Sequence, residues 1–227
     1  MAVRITHQAW PSQGRVSNLH GTGPVVTMSY INQKERLTGM NAAPIDPRSI
    51  CNLMLDEAGD DMPLSNLALQ KLLYFAHGLY LSETGQPLVT GYFEAWQYGP
   101  VHPAAYAAFK MAGNRHITFR AERQNPLTGT KAPINPPTEK KVIGCVRKVI
   151  MNCAGMTPGQ LVDLSHAKDG PWDQIVKKAQ SGAALGLRIP NDIISGCFRY
   201  HKVFVGLVPT RGEPVEDAPL TARTRFG

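Results

Sequence analysis

The side chains of this chain whose types could carry out catalysis are His77, His102, His166, His201, Asp169 and Cys51. Histidine beside cysteine or aspartate could run a hydrolysis, and a His/Cys/Asp set could hold a metal ion. Their spacing supports neither chemistry. No HExxH, GxSxG, phosphate loop or close cysteine pair is present. His77 lies in a leucine-rich stretch, where a hydrogen-bonded core or boundary histidine is the simpler reading. His166 and Asp169, three apart, could bond each other or cap a short helix ending near Ser165. The expectation is a protein that binds rather than catalyses, with no metal and no cofactor.

Recognition has a stronger signal. In Phe93-Glu94-Ala95-Trp96-Gln97-Tyr98-Gly99-Pro100-Val101-His102-Pro103 the aromatics Phe93, Trp96 and Tyr98 run into a Gly-Pro turn. Gly99 can take backbone angles closed to other residues and Pro100 fixes its own φ, so an extended arm should stop there. A helix can then start with Pro103 in the first turn, placing Tyr106 and Phe109 on one face. Phe93 and Trp96 are expected in the core, whereas Tyr98 and His102 should be partly exposed. Trp96, Tyr98, Gly99, Pro100, His102 and Tyr106 are therefore the candidate partner-binding residues, acting with the turn-rich stretch up to Pro137.

The elements that must position these residues are mostly helical. Pro47 to Ala58 reads as a first helix with Ile50, Leu53, Met54 and Leu55 inward. Ser65 caps a second, running to about Ser82, whose buried stripe is Leu69, Leu72, Leu73, Ala76, Leu79 and Tyr80. Gly78 within it implies close packing. Between Met111 and Pro137, Ile117–Arg120 predicts one short strand among turns. Thr138 should cap a helix through Cys153, with Lys140, Lys141, Arg147 and Lys148 outward. Thr157-Pro158-Gly159-Gln160 is a strong helix start. Further helices are expected over Trp172–Gln180 and after Pro190, where Ile193, Ile194, Cys197 and Phe198 pack and Tyr200 adds to them. Residues 1–40 and 209–227 read by composition as flexible, disordered tails. Met28 and Met40 both offer alternative starts, so the leader could reflect a mis-assigned start codon.

Composition sets the outer bounds. The 227 residues carry a net charge of +7, with +3 of it in residues 1–40 and the rest scattered. A nucleic-acid surface needs clustered lysine and arginine, so nucleic acid is an alternative partner rather than the favoured one. Cys145 and Cys153, eight apart on one helix, read as buried small hydrophobes, and the four cysteines, Cys51 and Cys197 included, as reduced thiols. No window is apolar enough to span a bilayer and the leader lacks a signal-peptide core. A cytoplasmic protein is expected.

Three segments together give the chain a resemblance. They are Leu69-Gln70-Lys71-Leu72-Leu73-Tyr74-Phe75-Ala76-His77, the Phe93–Val101 run with Pro103 and Tyr106, and Leu164-Ser165-His166 followed by Pro171-Trp172. In order and spacing these resemble the SocA-like Panacea antitoxin domain of phage-associated and prophage proteins, over roughly Ile50 to Val205. The resemblance implies a mainly α, compact helical domain with a small β element, here over residues 41–208. Leu72, Leu73, Tyr74, His166 and Trp172 are its structural motif residues. It further implies an antitoxin that binds and neutralises a cognate protein toxin by direct contact. Some relatives also deliver the toxin to a cellular AAA+ protease, and others occur in phage genomes with no assigned toxin. The long leader departs from the family pattern.

Overall fold

The structure, a computed structural model, describes residues 43–181, 187–198 and 201, all within one compact unit, Ala43–Gly227. The expected leader over 1–40, the tail over 209–227 and Tyr200 lie outside the described residues. The fold class is as expected: seven α-helices are described, with two small sheets.

Local sequence explains most helix ends. Helix α1 (Pro47–Ala58) starts where the Asp46 side chain accepts the Arg48 N–H, and Gly59 closes it at φ +58°. Helix α2 (Asn66–Thr84) starts at Ser65, whose hydroxyl accepts the Ala68 N–H, and ends in left-handed Gly85. The leucine spacing predicts a stripe, but every residue from Asn66 to Gly78 is buried. Over these thirteen residues α2 is enclosed all round, the position of a fold's central rod, whereas Leu79, expected in the stripe, is only half-buried and Ser82 and Glu83 are exposed. Its Gly78 lies under the Phe198 ring, which occupies the space a Cβ would need.

After α2 the chain forms β1 (Phe93–Trp96) and β2 (Gly99–Val101), then α3 (Pro103–Phe109) and a 3-10 turn (Lys110–Ala112). The Gly-Pro pair does not stop the extended arm, as its sequence suggests; it begins the returning strand. Trp96 pairs with Gly99 and Ala95 with Pro100, and a two-residue turn, Gln97-Tyr98, joins them. Proline is tolerated because β2 is an edge of the sheet, in which β1 lies between β2 and a short strand at Arg188–Ile189. Strand β5 (Arg188–Ile189) is too short to read from sequence.

The expected strand over Ile117–Arg120 is absent, and two strands lie further on: β3 (Glu122–Gln124) and β4 (Lys131–Pro133). Turn chemistry sets that register. Asn125 Oδ1 accepts from the Leu127 and Thr128 N–H groups, and Gly129 takes φ +70°. Ile117 is instead held by its N–H donating to Leu64 O. Strands β3 and β4 form a protruding arm whose base is fixed by Asn52, buried on α1. Its Oδ1 accepts the Ala121 N–H at 2.8 Å, and its Nδ2 donates to Ala121 O and Ile134 O, both at 3.0 Å. Asn52→Ala strands all three backbone groups and should cost about 2–3 kcal/mol. Urea unfolding reads that loss, and faster tryptic cleavage after Arg123 should accompany it.

Helix α4 (Lys140–Cys153) starts at Glu139 rather than at Thr138, without a side-chain capping bond. Helix α5 (Pro158–Ser165) has the full capping box predicted from Thr157 and Gln160. Helices α6 (Pro171–Gln180) and α7 (Asn191–Cys197) complete the described residues.

Candidate partner-binding surface

Helix α2 presents polar groups at 70, 71, 74 and 77, and together they fasten four segments of the chain. Gln70 Oε1 accepts the His102 N–H at 3.0 Å. Lys71, fully buried, donates from Nζ to Pro100 O at 3.1 Å. The Tyr74 hydroxyl donates to His201 Nε2 at 2.8 Å, and His201 Nδ1 donates to Leu164 O. His77 accepts the Val89 N–H at Nδ1 and donates from Nε2 to Asn191 Oδ1. Sequence reasoning missed Gln70 and Lys71 as members of this set. The available signal is that they interrupt a leucine run on the same helical side as Tyr74 and His77.

These fasteners hold the β1–β2 hairpin. Gly99 sits at φ +100°, with Ser165 Oγ and the end of Lys71 occupying the space a Cβ would need. Trp172 Nε1 donates to Trp96 O at 2.8 Å, and the Trp172 ring stacks on His166 at 3.7 Å and 13°. Trp96 packs edge-on against Tyr106 at 4.8 Å. What remains outside is the tip, with Gln97 exposed and Tyr98 half-buried, and the half-buried Tyr106.

The structure brings the six candidate residues into one neighbourhood but divides them by burial. Phe93 and Trp96 are core residues, as expected. His102, expected to be partly exposed, is instead 3% exposed: its Nε2 donates to Thr90 O at 2.8 Å and its ring meets Phe93 edge-on. Replacing it would therefore not leave the melting curve unchanged. His102→Ala strands the Thr90 carbonyl and opens a hole beside Phe93, at a cost of about 2–3 kcal/mol visible in thermal unfolding. Gly99 and Pro100 are also buried.

His166 and Asp169 do not act as a pair. Backbone groups of His166 close α5, while Asp169 sits at φ +62° and engages Lys177. Burial dominates the titration of the histidines. It lowers His77 to about 4, His201 to about 4 and His166 to about 3, the last with the Lys71 charge adding to the effect. His102 is lowered by the same cause. Burial raises Cys145 and Cys153 to about 11, and Cys51 well above its ordinary value. These are neutral, packed groups without an exposed nucleophile among them. Among the described residues no three His, Cys, Asp or Glu side chains are placed to hold a metal ion. None of the described helices is long and apolar enough to cross a membrane.

The basic face of α4 is partly neutralised. Arg147 makes a two-point contact with Glu57, and Lys148 reaches Glu83 at 2.8 Å. The arm is different. All six residues of β3 and β4 are exposed, Leu127 at its tip is 93% exposed, and Met111 near its base is 83% exposed.

Residues 69–173, from α2 through the start of α6, match the family model described as antitoxin SocA-like, Panacea domain. Those bounds take in Gln70, Lys71, the β1–β2 hairpin, the arm and Trp172. Antitoxin SocA of Caulobacter vibrioides (strain NA1000 / CB15N) is 44% identical over 176 residues, covering 77% of this chain and 94% of that protein. No solved structure matches the chain. A family match that takes in Gln70, Lys71 and the β1–β2 hairpin, with a relative aligned over nearly its whole length, places the chain in the antitoxin SocA-like, Panacea domain family.

Proposed function

We propose that this protein is an antitoxin that neutralises a protein toxin by direct contact. The observation that carries the reading is the 44% identity to antitoxin SocA across 94% of that protein's length. The geometry supports contact rather than chemistry, since burial keeps the core histidines and cysteines neutral and packed. In this reading Tyr98 and Tyr106 touch the toxin together with the β3–β4 arm. Trp96, Gly99, Pro100 and His102 lie beneath and keep that surface rigid, which lowers the entropy cost of binding. The toxin is met in the cytoplasm, and delivery to a cellular AAA+ protease is the variant in which the bound toxin is then degraded.

The test is to express the product of the neighbouring gene alone and with the full chain, following growth, co-purification and toxin level. Growth arrest relieved by a co-purifying complex is the expected result. A steady toxin level then means blocking, and a falling one means delivery to a protease. A harmless neighbour that forms no complex would sink the reading for that pair. A DNA affinity that falls steeply with salt would replace it with a regulator.

A further inference from the structure

We propose that the free edge of β3 accepts an extended, acidic segment of the partner protein as a third strand of the arm. The inference deepens the toxin-binding reading and rests on it for the partner's role, but the docking edge is testable without any toxin.

The backbone alternation identifies the edge. The Asn125 N–H donates to Thr130 O at 2.9 Å, and the register pairs Gln124 with Lys131, Arg123 with Ala132 and Glu122 with Pro133. In an antiparallel ladder this makes Arg123 and Ala132 the pair that exchanges bonds, so the N–H and C=O groups of Glu122 and Gln124 point away from β4. On the other side, Lys131 and Pro133 point outward, and Pro133 has no N–H to offer. One edge is blunted by proline and the other is open. Among the described residues the sheet has only these two strands, and a bare two-stranded ribbon is marginal by itself. A third strand satisfies both the outward backbone groups and the ribbon.

Charge and shape specify the occupant. Residues 110–137 carry five basic residues against one acid, Glu122, a net charge of +4. Glu122 is taken by Lys131 and Arg120 by Asp56, whereas Lys110, Arg115 and Arg123 make no ion pair among the described residues. An added strand bearing carboxylates is therefore favoured over a neutral or basic one. A cavity of about 600 Å³ lies between the base of the arm and α1, with Met111, Phe119 and Pro133 on its wall. It can receive an apolar side chain from the same strand, as alternate residues do in strand addition. A second copy of this chain fits poorly. Two-fold pairing through β3 would set Arg123 opposite Arg123 and bring two +4 segments together, which is repulsive.

The full chain would be panned against short random peptides displayed on phage, and the enriched peptides measured by fluorescence anisotropy. The expected peptides alternate acidic and apolar or β-branched residues. Their binding should weaken about tenfold in Gln124→Pro relative to Gln124→Ala, which isolates one outward N–H, and differ less than about twofold between Lys131→Pro and Lys131→Ala on the blunted edge. Neither proline touches a ladder bond, so both chains should fold. If Gln124→Pro does not fold, Arg123→Glu provides the test, because reversing that charge should weaken the same peptides without altering the backbone. Enrichment of neutral or basic peptides only, equal loss in both proline variants, or unchanged binding in Arg123→Glu would overturn the proposal. So would a dimer of the chain that Gln124→Pro dissolves, which would assign the edge to a second copy. Because the peptides are read without a toxin, a failure to neutralise the neighbour's product would count against the antitoxin reading alone.

Discussion

Gly99→Ala is expected to destabilise this protein by about 3 kcal/mol or more, enough to remove much of the stability of an ordinary domain. Two effects add. At φ +100° an alanine is strained by about 1–3 kcal/mol. Its methyl group would also meet Ser165 Oγ and lie 3.2 Å from Lys71 Cε and 3.3 Å from Nζ. Neither neighbour can give way easily. Ser165 is fully buried and its hydroxyl donates to Val162 O at 2.8 Å, while the Lys71 ammonium is held by the Pro100 carbonyl. Urea unfolding of Gly99→Ala and of Gly99→Ala with Ser165→Ala separates the two effects. The double variant should regain the part due to the collision and keep the backbone strain. An unchanged midpoint for Gly99→Ala would show that the turn is not held as described.

Acid should have a comparably large effect. The bonds of His77, His102 and His201 each fit one neutral tautomer, and burial keeps all four core histidines from protonating in the fold. An unfolded chain protonates its histidines near 6.5. Below that pH the unfolded state takes up protons that the folded state refuses, so stability present above about 6.5 is lost as the pH falls towards 4. Each histidine contributes up to about 1.4 kcal/mol per pH unit in that window, so His77, His166 and His201 together remove roughly 6 kcal/mol by pH 5. Urea midpoints measured from pH 7.5 to pH 5 should fall steeply, approaching unfolding without denaturant at the lower end. A flat profile across that range would mean the histidines are solvated or already charged in the fold. His166 has the further penalty of charging beside Lys71.

The boundaries of most helices were legible in the residues themselves, because a cap is a local event. Asp46, Ser65, Gly85 and the Thr157–Gln160 box act within four residues of the bonds they satisfy. Thr138 failed as a cap because Glu139 occupies that position without a side-chain bond. The arm shows the same division. Its turn residues Asn125 and Gly129 stand out in the sequence, yet the strand was expected five residues early, at Ile117, because apolar alternation there serves the core instead.

The candidate site was legible as a motif and not as a surface. Trp96, Tyr98, Gly99, Pro100, His102 and Tyr106 do cluster, but sequence assigned His102 to solvent where packing encloses it. The roles of Gln70 and Lys71 were hidden for the same reason. A polar residue in a leucine run looks like a helix's wet side until the rest of the chain closes over it. By itself the sequence determined the mainly helical class, most of the capped ends and the family it resembles, all properties of neighbouring residues. Only the tertiary structure decided that α2 is buried all round from Asn66 to Gly78, that its polar groups fasten four distant segments, and that among the described residues the arm keeps one edge open. Burial and edge exposure depend on contacts between residues far apart in the chain, and local propensity carries no record of them.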